Sequence, residues 1–595
     1  MARLPAVASE AATAGRGEGH DLGGSARVAR GHPAVLLFAA AVAISAAVLI
    51  AMAPQLTFFL DDWDFLTFRY DPSWHAVMAP HNEHISIAPV LIYEALLHSF
   101  GMDSAVPFRV AATATFLAGI ALLFVWLRRR VGAWLALAGV LPLLFFGAGA
   151  EDLLYPFQIG YFGSLLFGLA ALLALERDDR TADVLACLAL VASLTFSSVG
   201  LPFVVGAALC VAWDERRWRR AYVVVVPAAL YGLWWIGWGH EAETHLSLKN
   251  IATSPSYILD GFASSISSLF GLAAPRNDST LTTFDWGRAL LVAAVVLAVW
   301  RLLRGPRPSR WLWIVLVTAL AYWFLAASSA YFDARAPTAG RYQYVGAIFV
   351  LMIAAELARG LRVSRPALVA VIAVTALAVA GNLSSLVDAY KGLRTTSQTI
   401  LADLGAFELA RPYVPPEFQI TADTGGTDFV GVQALFYFPA VDAVGSPADS
   451  EAELRAAPEP AQVNADKLAA AAMGLSSDPV AKPPPVDGSP PTLVEPADAT
   501  ATTTGPCLSL SGGASGSAVL ALPPGGVVAS TARGQGATMS LRRFSSEGFP
   551  IKAGTVAPGG STVLRIPPDA ASQPWQLGID SQGPVTVCGL APPAG

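Results

Sequence analysis

Residues 33–53 read PAVLLFAAAVAISAAVLIAMA, twenty-one positions without a charge. At ~1.5 Å of rise per residue, a helix of about 20 apolar residues crosses ~30 Å of hydrocarbon. Ala51-Met52-Ala53 imitates a signal cleavage site, but the run is long and Pro54 would be the first mature residue. The stretch therefore reads as an uncleaved membrane anchor. The same test finds ten further runs near 106–126, 131–149, 157–175, 183–199, 201–213, 221–238, 287–303, 311–327, 343–358 and 366–386. The expectation is a polytopic α-helical membrane protein of about 11 spans. Because 201–213 is short and Pro202 follows Gly200, residues 183–213 also read as a tight helical hairpin.

Composition agrees. Of 595 residues 14% are charged and 54% hydrophobic, and mean hydropathy is +0.52; a soluble chain carries roughly 25% charge. These values exclude a disordered chain, a small disulfide scaffold and an ordinary cytosolic enzyme. A net charge of −6 excludes a broadly basic nucleic-acid binder.

Arginine orients the spans. Loops on one side hold twenty, including Arg128-Arg129-Arg130, Arg216, Arg217, Arg219 and Arg220. The other side holds seven basic residues up to 386: Arg69, Arg109, Lys249, Arg276, Arg288, Arg335 and Arg341. The positive-inside rule then puts the N-terminus in the cytoplasm of a multi-pass plasma-membrane protein and residues 387–595 outside. Cys507 and Cys588 in that tail are free to form a disulfide closing a loop of about 80 residues, worth roughly 4.5 kcal/mol; two unpaired thiols are the alternative. Cys187 and Cys210 fall within spans, as small apolar fillers.

The domain reading follows. Residues 1–32 are an Ala/Gly/Arg-rich cytoplasmic arm and 33–386 the membrane core, with long outer loops at 54–105 and 239–286. Short helices are expected at Pro89 to Phe100, lying at the interface, and at Tyr257 to Leu272, interfacial or re-entrant. Residues 387–482 form a mixed α/β connection, helical to about Arg411, where Pro412, Pro415 and Pro416 intervene. The proline runs of 483–491 mark a linker. Residues 492–595 alternate short strands with Gly/Pro turns and read as an extracytoplasmic β-sandwich.

Just beyond the anchor stands Leu60-Asp61-Asp62-Trp63-Asp64-Phe65. A surface loop holds three acids at little cost, but these are set among Phe58, Phe59, Trp63 and Leu66. Apolar neighbours raise a carboxyl pKa, and acids placed at such cost usually bind a cation or accept a proton. In the same loop, His81-Asn82-Glu83-His84 reads as metal ligands, as hydrogen-bonding groups for a sugar or phosphate, or as a brace; the histidines share a face only if the segment is helical. Glu151-Asp152 lies at the outer end of the third span, ahead of Gln158, which near a span wants a hydrogen-bond partner. Arg335 and Arg341 oppose the positive-inside bias, and arginine suits bidentate capture of phosphate; Tyr342 beside them reads as an interfacial belt residue or a sugar-stacking ring.

Acidic pair after span one, second acidic loop, Arg-Tyr at the mouth of a late span: over about residues 33–386 this order resembles the GT-C glycosyltransferases. A multi-span core with an outer β-domain is similar to the arabinofuranosyltransferases, whose tails look like carbohydrate-binding modules. The resemblance implies an inverting transfer of a hexosyl or pentosyl unit from a polyprenyl-phosphate-linked donor to a cell-envelope glycan or other hydroxyl acceptor. It implies Asp61 as general base, with Asp62 orienting the acceptor or binding a cation. Asp64, His81, Glu83, His84, Gln158, Arg335, Arg341 and Tyr342 become substrate contacts. Asp62, Glu151 and Asp152 become the ligands of a divalent cation (Mg2+, Mn2+ or Ca2+), if one assists. Two other classes fit the composition: a transporter or flippase for an envelope lipid or glycan, and a non-enzymatic glycan-binding membrane protein. Transporters place charges at mid-membrane, whereas here the acids crowd the loops.

Overall fold

The computed structural model describes residues 33–70, 73–177, 179–242, 244–273, 284–305, 307–330, 335–361, 363–495, 500–511 and 516–592. The N-terminal arm expected at 1–32 lies outside the described residues.

The anchor is helix α1 (Pro33–Met52). A polar layer follows: α2 (Asp62–Thr67), α3 (Trp74–Met78) and α4 (Ile87–Phe100). The bundle then runs through α5 (Val106–Val131), α6 (Ala133–Val140), α7 (Ala150–Leu154), α8 (Ile159–Leu175), α9 (Arg180–Phe196) and α10 (Leu201–Ala212). It continues with α11 (Arg217–Arg220), α12 (Tyr222–Gly237), α13 (Leu248–Leu269), α14 (Gly287–Arg304), α15 (Arg310–Ser328), α16 (Gly340–Leu357) and α17 (Arg365–Ala410). Helices α18 (Ala434–Val444), α19 (Glu451–Ala456) and α20 (Glu459–Ala472) lead to the strands.

Among the described residues five helical stretches are long and apolar enough to span a bilayer: Pro33–Gln55, Val106–Val131, Pro156–Leu175, Arg310–Ser328 and Arg365–Tyr413. The pair Ala133–Phe145 and Gly147–Leu154, bent by 41°, makes a sixth. Eleven apolar runs thus give five or six helices of spanning length. The difference has a physical source: α10 and α12 have 12 and 16 residues, short of the hydrocarbon thickness, and α14 carries arginine at both ends.

Close packing explains how these helices gather. Helices α8 and α9 lie side by side, and α5 packs on α8. A Cβ at Gly163 of α8 would stand 2.1 Å from the Phe196 ring, and one at Gly168 would stand 2.4 Å from Phe203. Small residues let membrane helices approach. The hairpin expected over 183–213 does not form as one unit: beyond a short turn α9 packs on α8 and α12, while α10 turns to α15 and α8. Helix α13 begins nine residues before the expected Tyr257. Its second half, with Ser264, Ser265, Ser267 and Ser268 fully buried, inserts among α14, α15 and α16.

The Arg-rich helix ends meet at one end of the bundle. Arg130 pairs with Glu176 at 2.5 Å and with Glu356 and stacks 3.4 Å from the Trp126 ring. Arg220 pairs with Asp183 at 2.6 Å and with Asp214.

Helix α17 runs unbroken for 46 residues and joins the bundle to a further layer with α19 and α20. That layer ends in two antiparallel sheets. Strands are β1 (Ser477–Val480), β2 (Thr492–Glu495), β3 (Thr500–Thr504), β4 (Cys507–Ser511), β5 (Gly516–Ala521), β6 (Val527–Thr531), β7 (Ala537–Arg542), β8 (Phe549–Val556), β9 (Ser561–Leu564), β10 (Gln576–Ser581) and β11 (Val585–Gly589). The sheets order as β1-β9-β6-β11-β4-β3 and β2-β5-β10-β7-β8. Because β1 pairs with β9, the sandwich begins before the proline-rich 483–491, which is a connection inside it and not a boundary. Cys507 and Cys588, register partners on β4 and β11, are joined by a 2.05 Å disulfide.

The sandwich is fixed to the helical layer through Asp466 of α20. This fully buried carboxylate accepts the backbone N–H of Arg543 (2.8 Å), Phe544 (2.9 Å) and Ser545 (3.0 Å) and the Ser545 hydroxyl (2.7 Å). Asp466→Ala strands these donors and is expected to cost roughly 3 kcal/mol. Early proteolytic release of the sandwich on warming, ahead of wild type, checks this.

Candidate active site

A cavity of about 490 Å³ opens at the bundle end opposite the Arg-rich one. Its walls come from the polar layer (Asp61, His81 to His84), the start of α8 (Phe157, Gln158, Tyr161), the end of α12 (Tyr231, Trp235), the end of α15 (Tyr322, Leu325, Ala326) and Arg335, Arg341 and Tyr342. Charged side chains thus share the lining with apolar and aromatic ones.

Asp61 stands at the N-terminal edge of α2 with its side chain 40% exposed. Behind it His81 bridges two acids: Nε2 lies 3.4 Å from Asp61 Oδ1 and Nδ1 lies 2.8 Å from Asp64 Oδ2. Burial alone would favour neutral imidazole, but the hydrogen bonds and charges of Asp61 and Asp64 prevail and push the His81 pKa up to about 9. Burial also works to raise both carboxyls. The His81 hydrogen bond and charge, joined by Arg341 at Asp61 and by Arg69 at Asp64, outweigh it and hold both below the usual carboxylate range. Asp61 is therefore an anion at neutral pH, presented to a cavity.

The loop fixes itself through Arg69. Its guanidinium meets Asp64 at 3.0 Å and donates to the carbonyls of Ala76, Ala79 and Pro80 at 2.9–3.2 Å. His81 and His84 are not on a helix: their backbones exchange two 2.9 Å hydrogen bonds around Asn82, whose φ of +51° is one that Asn tolerates. This turn still sends both rings to the cavity. His84 is kept neutral, its pKa brought down to about 3 by burial and by Arg335, His81 and Arg341. Glu83 pairs with Arg335 at 2.6 Å, and Tyr257 donates to the Arg335 carbonyl at 2.7 Å.

The structure thus gathers Asp61, His81, Glu83, His84, Gln158, Arg335, Arg341 and Tyr342 on one cavity. Asp62 does not join them. It is fully buried, with one oxygen accepting the Phe59 N–H at 2.9 Å and the other the Tyr93 hydroxyl. Burial raises it to about 6; its work is to close the loop, not to meet an acceptor. Asp64 is taken up by His81 and Arg69 and likewise does not line the cavity. Glu151 and Asp152 lie off it on α7, within electrostatic reach of Arg341. Among the described residues no three of His, Cys, Asp and Glu gather to hold a metal ion. Asp62, Glu151 and Asp152 form no such set, because the oxygens of Asp62 are spent on the loop and the other two belong to a separate element. Tyr161, Tyr322 and Trp235 were not expected here; inside apolar runs they read as packing.

Comparison with protein-family models finds no match, and comparison with curated proteins finds none. Among solved structures, the chain is similar to ArnT from Cupriavidus metallidurans bound to undecaprenyl phosphate, at 14% identity over 70% of this chain and 85% of that one, with a TM-score of 0.41. Overlap at that level does not fix the fold or the chemistry of this chain.

The elevated His81 pKa has a sign for stability. Its contribution is full below pH 6.5, the unfolded value, and is lost as pH rises towards about 9. The melting temperature of the detergent-solubilised chain is expected to fall over that interval, and to fall less in His81→Phe.

Proposed function

We propose that this chain is a membrane glycosyltransferase of the GT-C type, moving a sugar from a polyprenyl-phosphate donor to a hydroxyl acceptor. The observation that supports it most is the meeting of an anionic, partly exposed carboxylate with two arginines in one cavity that aromatic and apolar side chains also line. A lipid-phosphate sugar has a matching composition: an anionic link between a polar ring and a hydrocarbon tail. Arg341 and Arg335 suit the phosphate, and Tyr161, Tyr322 and Trp235 suit the sugar's faces or the first isoprene units.

In this reading the acceptor hydroxyl lies against Asp61. Its oxygen attacks the anomeric carbon as Asp61 takes its proton. The bond to the phosphate oxygen breaks from the opposite face, so the anomeric centre inverts. The polyprenyl phosphate leaves with the electron pair, and Arg341 stabilises the charge that grows on it. His81 keeps Asp61 ionised beforehand and holds its orientation. The cavity end faces outside the cell, the Arg-rich end faces the cytoplasm, and the acceptor is an envelope glycan, lipid or protein.

Asp61→Asn keeps the shape and removes the base. Transfer from a polyprenyl-phosphate sugar in reconstituted vesicles is expected to fall at least about a hundredfold with donor binding unchanged; wild-type rates would falsify the assignment. Arg341→Ala is expected to raise the donor KM by roughly tenfold or more, the loss of a charged hydrogen bond to phosphate, and an unchanged KM removes it from the donor site.

A further inference from the structure

The loop that carries Asp61 is braced from within by Arg69 and Asp62, and it also draws on partners outside itself. Leu60, the residue before it, has a φ of +47°, a left-handed conformation that a residue with a bulky side chain seldom adopts. Such outliers persist only where surrounding structure over-determines them. Two local bonds bracket it, from the Phe59 N–H to the Asp62 carboxylate at 2.9 Å and from the Asp62 N–H to the Phe59 carbonyl at 3.0 Å.

Arg109 of α5 donates to the Thr57 carbonyl and Tyr155 stacks on Phe59 at 4.9 Å; further support comes from far along the chain. The Leu60 N–H donates to the Phe429 carbonyl at 2.8 Å. The Thr57 N–H donates to Ser397 Oγ at 3.2 Å, across 340 residues. Ser397 is buried on α17 and fixed by donating to the Leu393 carbonyl at 2.8 Å. Rings complete the grip: Phe429 meets Phe59 edge-on at 6.4 Å, Phe436 meets Phe68 at 4.2 Å and Tyr437 meets Trp63 at 6.2 Å. Neither Ser397 nor the 429–437 segment lines the cavity.

We infer that Ser397 and the 429–437 segment are positioning elements for the reaction: they clamp the strained turn at Leu60 and so fix where the Asp61 carboxylate points. This rests on the transferase reading for its kinetic consequence, but its structural content is independent of turnover. A base displaced by a fraction of an ångström loses much of its effect, so slack at Thr57 and Leu60 is felt in the chemical step and not in donor capture.

The test uses the full chain in lipid nanodiscs. Ser397→Ala removes the acceptor of the Thr57 N–H. It is expected to lower kcat roughly tenfold at unchanged donor KM. Amide hydrogen exchange over residues 56–66 should quicken at least about tenfold, with exchange in α1 and β4 unchanged, while Ser397→Thr retains wild-type behaviour. In the wild type the amides of Thr57 and Leu60 should themselves exchange slowly, and rapid exchange there overturns the inference without any variant. Unchanged loop exchange and kcat in Ser397→Ala overturns it, and so does exchange that quickens throughout the protein while kcat per folded molecule stays intact. The two readings fail differently. Wild-type transfer by Asp61→Asn removes the base and leaves the clamp to be judged by exchange, whereas an inactive Asp61→Asn beside an unaffected Ser397→Ala removes the clamp alone.

Discussion

An anion at the edge of a hydrocarbon slab persists only if its charge is answered nearby. In this protein the answer is the imidazolium of His81, shared between Asp61 and Asp64 through its two ring nitrogens. Remove that proton and two carboxylates face each other across a low-dielectric rim. Each would then drift towards its neutral form, and the group best placed to accept a proton would already hold one. The geometry of the turn at Asn82, the reach of Arg69 to the carbonyls of Ala76, Ala79 and Pro80 and the contacts of Phe65 (edge-on, 5.2 Å) and Phe157 (tilted, 4.9 Å) with the imidazole all serve to keep that ring in one place.

The three neighbouring acids show how position decides role. Asp61 is half-open to the cavity, Asp64 is turned back onto Arg69, and Asp62 is enclosed beneath Tyr93. One residue of displacement along a single helical turn separates a candidate base from a loop fastener. Sequence spacing alone does not separate them, because the direction each side chain takes is set by the strained residue ahead of the turn and by partners tens or hundreds of positions away.

Much of the scaffold was legible for a simple reason: a helix in hydrocarbon must be apolar over its length, so α1, α5, α8, α15 and α17 declare themselves. Arg130 and Arg220, both counted on the Arg-rich side, lie with their acidic partners at the end opposite the cavity. Arginines on the sparse side, Arg335 and Arg341, were the best pointers to the site, because a cation there runs against the general bias. What stayed hidden was local or distant. Strands β1, β2, β3 and β8 are short or carry Pro479 or Pro550 (β1 and β8), and their edges pair only through tertiary contact. Asp62 and Asp64 were expected to meet substrate or a cation beside Asp61, and their inward turn has no mark in the sequence. Tyr161 and Tyr322 have no signature that distinguishes a cavity wall from a packed interior, and the contact of Ser397 with Thr57 lies beyond any local pattern.

Helix α17 has a mechanical corollary. Ser397 lies 32 residues beyond Arg365, ~48 Å along a straight helix, of which about 30 Å matches a hydrocarbon core. A continuous helix is a ruler with a fixed phase. One inserted residue between Gly381 and Ser397 would lengthen it by ~1.5 Å and swing everything beyond by about 100°, turning the Ser397 hydroxyl away from its target. Along this member a bilayer of different thickness is met by tilt or by local thinning or thickening of the lipid, since the helix itself does not stretch.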